Sequence, residues 1–138
     1  MTRVRAQALL EFALVLPLLV GILVATLLLA RVLWSYQVVW AVAGEAARAG
    51  ALGATADDAD QRARNRAGEM AEDASLDPQR FTVEVDTNRF GRGGWVSVTA
   101  SYKVLPLAPI GPLANAGTWD VDAQAREPVD RYRSGVQP

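Results

Sequence analysis

The chain of 138 residues contains no cysteine and no histidine. These two absences exclude disulfides, thiol nucleophiles, Cys/His zinc sites, imidazole acid–base catalysis and haem ligation by histidine. Lysine is nearly missing as well, because Lys103 is the only one among 14 basic residues. That arginine bias follows genomic composition more simply than any chemistry. There is no excess of either sign: 14 basic against 15 acidic side chains leave a net charge of −1. No global field therefore draws the chain to nucleic acid or to an acidic lipid surface. An enzyme built from this inventory would depend on carboxylates, hydroxyls, arginine or one lysine. The expectation is a protein that is not an enzyme, with no catalytic residues, no metal and no cofactor.

What the chain does have is one long apolar run. Phe12 to Ala30 is a stretch of 19 residues without a charge. As a helix it spans roughly 28 Å, about the thickness of a bilayer's hydrocarbon core. Arg3 and Arg5 precede the run, and Trp34, Tyr36 and Trp40 follow it. Basic residues favour the cytoplasmic side and aromatic rings favour the interface. The expected placement is a single pass through the bacterial cytoplasmic membrane, N-terminus inside and head outside. A cleaved secretory signal is the lesser alternative: the run exceeds the usual length, and the small-x-small site Ala41-Val42-Ala43 lies well past Arg31. Residues 32–49 contain no proline, so the helix is expected to continue to about Gly50. The small residues Ala43, Gly44, Ala46, Ala47, Gly50 and Ala51 mark where a second element could approach closely.

Two residues at the head of the run are unusual. Glu11 stands at its threshold and Pro17 lies inside it, in "RAQALLEFALVLP". An acid near a bilayer is costly unless paired or close to the interface. At the interface it would only begin the helix, where an acid suits the dipole. A cut before Gln7 would instead create an ammonium that the carboxylate of Glu11 on an adjacent copy could meet, neutralising both charges and fixing the register between subunits. Pro17 cannot donate to the carbonyl of Ala13, so a helix kink is expected there, with or without a function.

The outer part changes period twice. Thr55 and Asp58 form a capping-box pattern with Asp in place of Glu, ahead of a helix expected at about 56–75 and stopped by Asp77-Pro78. Its "QRARNRA" segment is a salt-bridged solvent face rather than a nucleic-acid surface. Asp58–Arg62 and Asp60–Arg64 are i,i+4 pairs, Arg66–Glu69 is i,i+3, and no aromatic is interleaved. Phe81, Val83 and Val85 then alternate against Thr82, Glu84 and Asp86. "NRFGRGG", residues 88–94, is a hairpin loop lacking the context of a phosphate loop. Val96, Val98, Ala100, Tyr102 and Val104 share the inward face of a second strand, and Trp119, Val121, Ala123 and Ala125 that of a third. Between them lies an apolar, proline-rich loop, 105–117. The carboxylate pairs Glu84/Asp86 and Asp120/Asp122 fall on solvent-facing sides, and neither is expected to be a dyad or a Ca²⁺ site.

The expected fold class is α+β: a long N-terminal transmembrane helix extends into a small pilin-like head. That head would hold a second helix and an approximately three-stranded antiparallel sheet. Expected divisions are 1–6 as a leader, 7–50 as the transmembrane and assembly helix, 51–126 as the extracytoplasmic head and 127–138 as a polar tail.

"QALLEFALVLPLL", followed by "AVAGEAARAGAL", resembles the TadE-like proteins of the tight-adherence (Flp-type) pilus, minor pilins or pseudopilins of the type IV pilin superfamily. The resemblance implies a leader from Met1 to Ala6, cleavage between Ala6 and Gln7, and an assembly pair formed by Glu11 and Phe12. Pro17 matches the proline of the family's "LP". The family normally has glycine before the cut, where this chain has Ala6. The implied partners are a prepilin peptidase, a major pilin, other minor pilins, and an assembly ATPase acting through a membrane platform. The implied role is surface attachment or secretion. The alternatives are an uncleaved bitopic protein with an extracytoplasmic binding domain and, least supported by the residue inventory, a small exported enzyme.

Overall fold

The computed structural model describes residues 2–105 and 117–130, with side chains described from Glu11 onward. Two compact units divide the chain, Met1–Leu33 and Trp34–Pro138.

The first unit lies within helix α1, which runs from Thr2 to Ala51 and carries Pro17 inside it. α1 includes residues 2–6 of the expected leader in its helical backbone. From Phe12 to Leu29 this unit shows large apolar side chains with nothing packed over them: Leu14 is 69% exposed and Leu18 64%. The one hydroxyl of the run, on Thr26, donates to the Ile22 carbonyl at 2.8 Å. A polar group in an apolar stretch is thereby satisfied within its own helix.

The second unit contains the last turns of α1, helix α2 (Ala56–Asp73) and strands β1 (Phe81–Asp86), β2 (Trp95–Val104) and β3 (Trp119–Pro128). The expected α+β class with about three strands is what the structure has. The sheet is antiparallel in the order β1-β2-β3. Phe81 pairs with Tyr102 and Val85 with Val98; Val98 in turn pairs with Ala125, and Val104 with Trp119.

Its core is made of small residues. Val39, Val42, Ala43, Ala46 and Ala47 of α1 are fully buried, as are Ala59, Ala63 and Ala67 of α2 and Val96, Val98 and Ala100 of β2. Ala59, Ala63, Ala67 and Ala71 recur every four residues, so α2 presents a narrow, smooth stripe on which backbones can come close. Gly50 marks the tightest part. A Cβ there would lie 3.0 Å from Val96 Cγ1 and 3.2 Å from the Ala59 carbonyl oxygen. The expected small-residue contact near residues 43–51 is therefore real, and it involves α2 and the sheet together.

α2 starts as the sequence predicts. The Asp58 N–H donates to Thr55 Oγ1 at 3.2 Å, while Asp58 Oδ2 accepts from the Ala54 N–H at 2.8 Å. Its end at Asp73 lies two residues before the expected 75, and the closure comes ahead of Asp77-Pro78. The Leu76 N–H bonds the Ala71 carbonyl and the Ser75 N–H bonds that of Glu72, with Ser75 at φ 54°. This is a Schellman closure with serine in the left-handed position that glycine usually fills. Leu76, buried at its end, holds the turn down.

Three further details depart from expectation. Trp119, expected inward, is 49% exposed, although Val104 across the same rung is buried. The polar tail expected from Glu127 begins later, since β3 runs to Pro128 and Val129 is buried, its N–H bonding the Gly94 carbonyl at 2.9 Å. Ser97, on the outward side by alternation, is nevertheless buried, and its Oγ accepts from Gln124 Nε2 at 3.2 Å. Residues 106–116 of the proline-rich loop lie outside the described residues, as does the chain from 131 onward.

Candidate assembly helix and outer sheet face

Among the expected assembly residues, Ala6 and Gln7 have helical backbone in α1, and their side chains lie outside the described residues. Glu11 is exposed on the same helix, one turn after Gln7, and Phe12 beside it is 60% exposed. Four residues of helix advance the chain by about 6 Å. Pro17 sits nearly two turns further on, within the helix. It leaves the Ala13 carbonyl without the bond that any other residue at that position would donate.

Among the described residues one stretch, Glu11–Ala51, is long and apolar enough to cross a membrane. Its two ends behave differently. Side chains from Phe12 to Leu33 are mostly exposed and large, whereas from Val39 onward one face of the helix, Val39, Val42, Ala43, Ala46 and Ala47, is buried in the protein core. The lipid-soluble part is therefore the first, in agreement with the uncharged run. Leu33, Trp34, Tyr36 and Trp40 are each at least half exposed where that run ends. Rings with one apolar and one polar end suit a membrane–water interface.

The outer face of the sheet is polar. A groove of about 280 Å³ is lined there by Arg80, Thr82, Ser101, Lys103, Asp120 and Asp122, together with Gln79. Lys103 pairs in register with Asp120, and Ser101 with Asp122. Arg80 is held by Asp77 at 3.1 Å. Among the described residues no three acids converge as metal ligands would. Glu84 and Asp86 pair with Thr99 and Ser97, so each acid has a hydroxyl residue across from it. The groove sets two basic against two acidic side chains, and Glu84 and Asp86 add further acid on the same face.

The ion pairs of α2 form as expected: Arg62–Asp58 at 2.9 Å, Arg64–Asp60 at 2.8 Å and Arg66–Glu69 at 3.2 Å. The hydrogen bond from Arg64 to Asp60 raises the guanidinium pKa further above its ordinary value. Two features were not visible in the sequence. Arg64 Nη1 also donates to the Val83 carbonyl at 3.3 Å, and Arg89 lies 4.5 Å above the ring of Trp95 with Arg126 at 5.9 Å. Arg64–Val83 and Arg126–Trp95 join residues far apart in the chain, so no short-range spacing announces them, and Arg89 reaches Trp95 across the hairpin loop.

The fold and these surfaces define a class: a helix long and apolar enough to cross a membrane, and a small α+β unit whose outer sheet face is polar. The family is more particular. Residues 6–48 match the family model described as TadE-like protein, so the chain is TadE-like over that segment. The match includes Ala6, Gln7, Glu11, Phe12 and Pro17 and supports a protein associated with a tight-adherence pilus. No curated protein and no solved structure matches the chain.

Proposed function

We propose that the protein is a minor pilin, or pseudopilin, with a structural rather than catalytic role in a tight-adherence pilus. The observation that carries this reading is the TadE-like match over residues 6–48, which includes the acid, the aromatic and the proline at the start of the apolar helix. A prepilin peptidase cuts between Ala6 and Gln7. The apolar part of α1 holds the precursor in the cytoplasmic membrane, N-terminus inside and the second unit outside. On assembly the Glu11 carboxylate meets the freed ammonium of Gln7 on a neighbouring subunit. In a low-dielectric setting that pairing is worth far more than at a surface, and a subunit out of register leaves both charges uncompensated. Pro17 supplies the local give that lets packed helices adjust. The partners are a major pilin, other minor pilins, the platform and its ATPase. The outcome is a pilus serving surface attachment or secretion.

The test is intact-mass and N-terminal analysis of protein from cells with and without the peptidase. A chain beginning at Gln7 only when the peptidase is present is the expected result. A chain beginning at Met1 or Thr2 in competent cells establishes instead an uncleaved bitopic protein with an extracytoplasmic binding domain. Glu11→Ala should still insert in the membrane and be missing from sheared pili. Normal incorporation of that variant removes the role assigned to the acid.

A further inference from the structure

The two edges of the sheet are not alike. Lys103 N–H bonds the Arg80 carbonyl and Val129 N–H bonds that of Gly94. In antiparallel pairing, residues directed at a neighbouring strand alternate with residues directed away from it. Together with the registers of the two strand pairs, these two bonds fix which groups face outward. On β1 they belong to Phe81, Val83 and Val85. On β3 they belong to Asp120, Asp122, Gln124 and Arg126, and to Pro128, which offers only a carbonyl.

β1 is a short edge already in use. The Phe81 N–H bonds the Asp77 carbonyl, and the Val83 carbonyl accepts from Arg64 of α2. β3 is ten residues long, ends the sheet, and among the described residues none of its outward residues has a backbone hydrogen bond on that side. A long open edge of this kind is a template for another strand.

We infer that the β3 edge pairs antiparallel with β3 of a second copy of this chain, about a two-fold axis through Ala123. The charges select that occupant. With Ala123 opposite itself, Asp120 of each copy faces Arg126 of the other, twice over, and Asp122 faces Gln124. All four are outward residues, so both rungs close with backbone hydrogen bonds. On the other side of the strand, Val121 meets Ala125 and Ala123 meets Ala123, extending the apolar face from one copy to the next. Moving the axis to Asp122 sets that acid against itself. Moving it to Gln124 places Pro128, which has no N–H, opposite Asp120. The interface is isologous and does not depend on the pilus reading.

The natural absence of cysteine makes the test clean, because introduced thiols report without background. Full-length Asp122→Cys and Gln124→Cys chains are produced together in one membrane and mildly oxidised. Disulfide-linked dimers should form in the mixture at least several-fold more than in either variant alone, since only the mixture places the two thiols on one rung. Adding Arg126→Asp to both chains should abolish the link, and adding Asp120→Arg with Arg126→Asp should restore it. Circular dichroism of each variant shows whether the fold is kept. Linking that is no greater in the mixture, or a link indifferent to Arg126→Asp in folded protein, overturns the pairing.

Discussion

Within the single helix α1, two stretches are both apolar yet opposite in what they are apolar for. From Phe12 to Leu33 the side chains are large and exposed, Leu14 at 69% and Leu18 at 64%. From Val39 to Ala51 the inward-facing side chains are small and buried, with Ala43, Ala46 and Ala47 at 0%, while Trp40 and Arg48 face outward. Leucine covers much lipid-facing area per residue. Alanine and glycine give up area so that α2 and β2 can come within contact distance. Bulk hydropathy treats the two alike, and side-chain size separates them.

A lysine placed in each stretch tests that separation most severely. Ala47→Lys forces a long charged chain into a closed small-residue contact, and an unpaired buried charge costs several kcal/mol. The second unit should lose its cooperative melt while the protein still fractionates with membranes. Leu19→Lys should do the reverse. A lysine near the centre of a membrane helix costs roughly 2.5–3.5 kcal/mol of insertion free energy. Carbonate-resistant membrane association should fall, with the melt of the second unit kept. If both variants fail in the same assay, the two stretches are not functionally distinct.

Gly50→Leu sharpens the comparison within the buried stretch. At 3.0 Å from Val96 Cγ1 even a Cβ is tight, and a leucine must push β2 or α2 away. Overpacking of this kind typically costs about 1–3 kcal/mol, read as a lowered midpoint of urea unfolding. The same exchange at Gly44, in the same helix, meets nothing within 4 Å and should leave the midpoint almost unchanged. Helix propensity favours leucine over glycine at both positions, so equal losses would show that the contact at Gly50 does not set the cost.

How far the sequence foretold this can be judged from how local each feature is. Thr55 with Asp58, and the pairs Arg62–Asp58 and Arg64–Asp60, lie within one turn, and spacing alone predicts them. The faces of β1 and β2 follow from alternation, which needs no knowledge of the partner strand. The end of α2 falls two residues before the expected 75, but the closure that sets it is not legible, because the proline at 78 is a stronger signal in sequence than a serine held at positive φ. That conformation is fixed by two backbone bonds and buried Leu76, not by residue preference. Trp119 was placed inside by alternation, but period two gives the face and not how far the covering layer extends along it. Ser97 was missed for the converse reason: Gln124 reaches over an outward position and closes it. For the assembly residues, the motif around Glu11 was legible as a pattern of types. Its proposed counter-charge belongs to another molecule, which no property of one chain displays.

The serine at position 75 also offers a gain. Left-handed backbone costs an L-residue roughly 1 kcal/mol that glycine avoids. Ser75→Gly should therefore raise the stability of the second unit by up to about 1 kcal/mol, read as a higher melting temperature. Thr55→Ala, at the other end of α2, removes the oxygen that accepts from Asp58 N–H and should lower stability by about 1 kcal/mol. Changes of opposite sign from the two ends of one helix would confirm that its limits are set by caps. A destabilised Ser75→Gly would mean that the serine side chain contributes something beyond its backbone geometry.

The smallest expected difference separates two arginines with the same local pairing. Arg62 and Arg64 each reach an aspartate four residues back, at 2.9 and 2.8 Å, and each is about half exposed. Such pairs contribute about 0.3–0.5 kcal/mol and weaken with salt. Arg62→Ala should lose that much and no more, with the loss fading at high ionic strength. Arg64 also holds the Val83 carbonyl on the open side of β1. Its removal should therefore cost about 0.5 kcal/mol more, and that extra part should persist in high salt, since it belongs to a hydrogen bond between α2 and the sheet. Hydrogen exchange at the amides of β1 should rise in Arg64→Ala and stay unchanged in Arg62→Ala. Equal exchange in the two variants would mean that packing alone, without the guanidinium, keeps that edge closed.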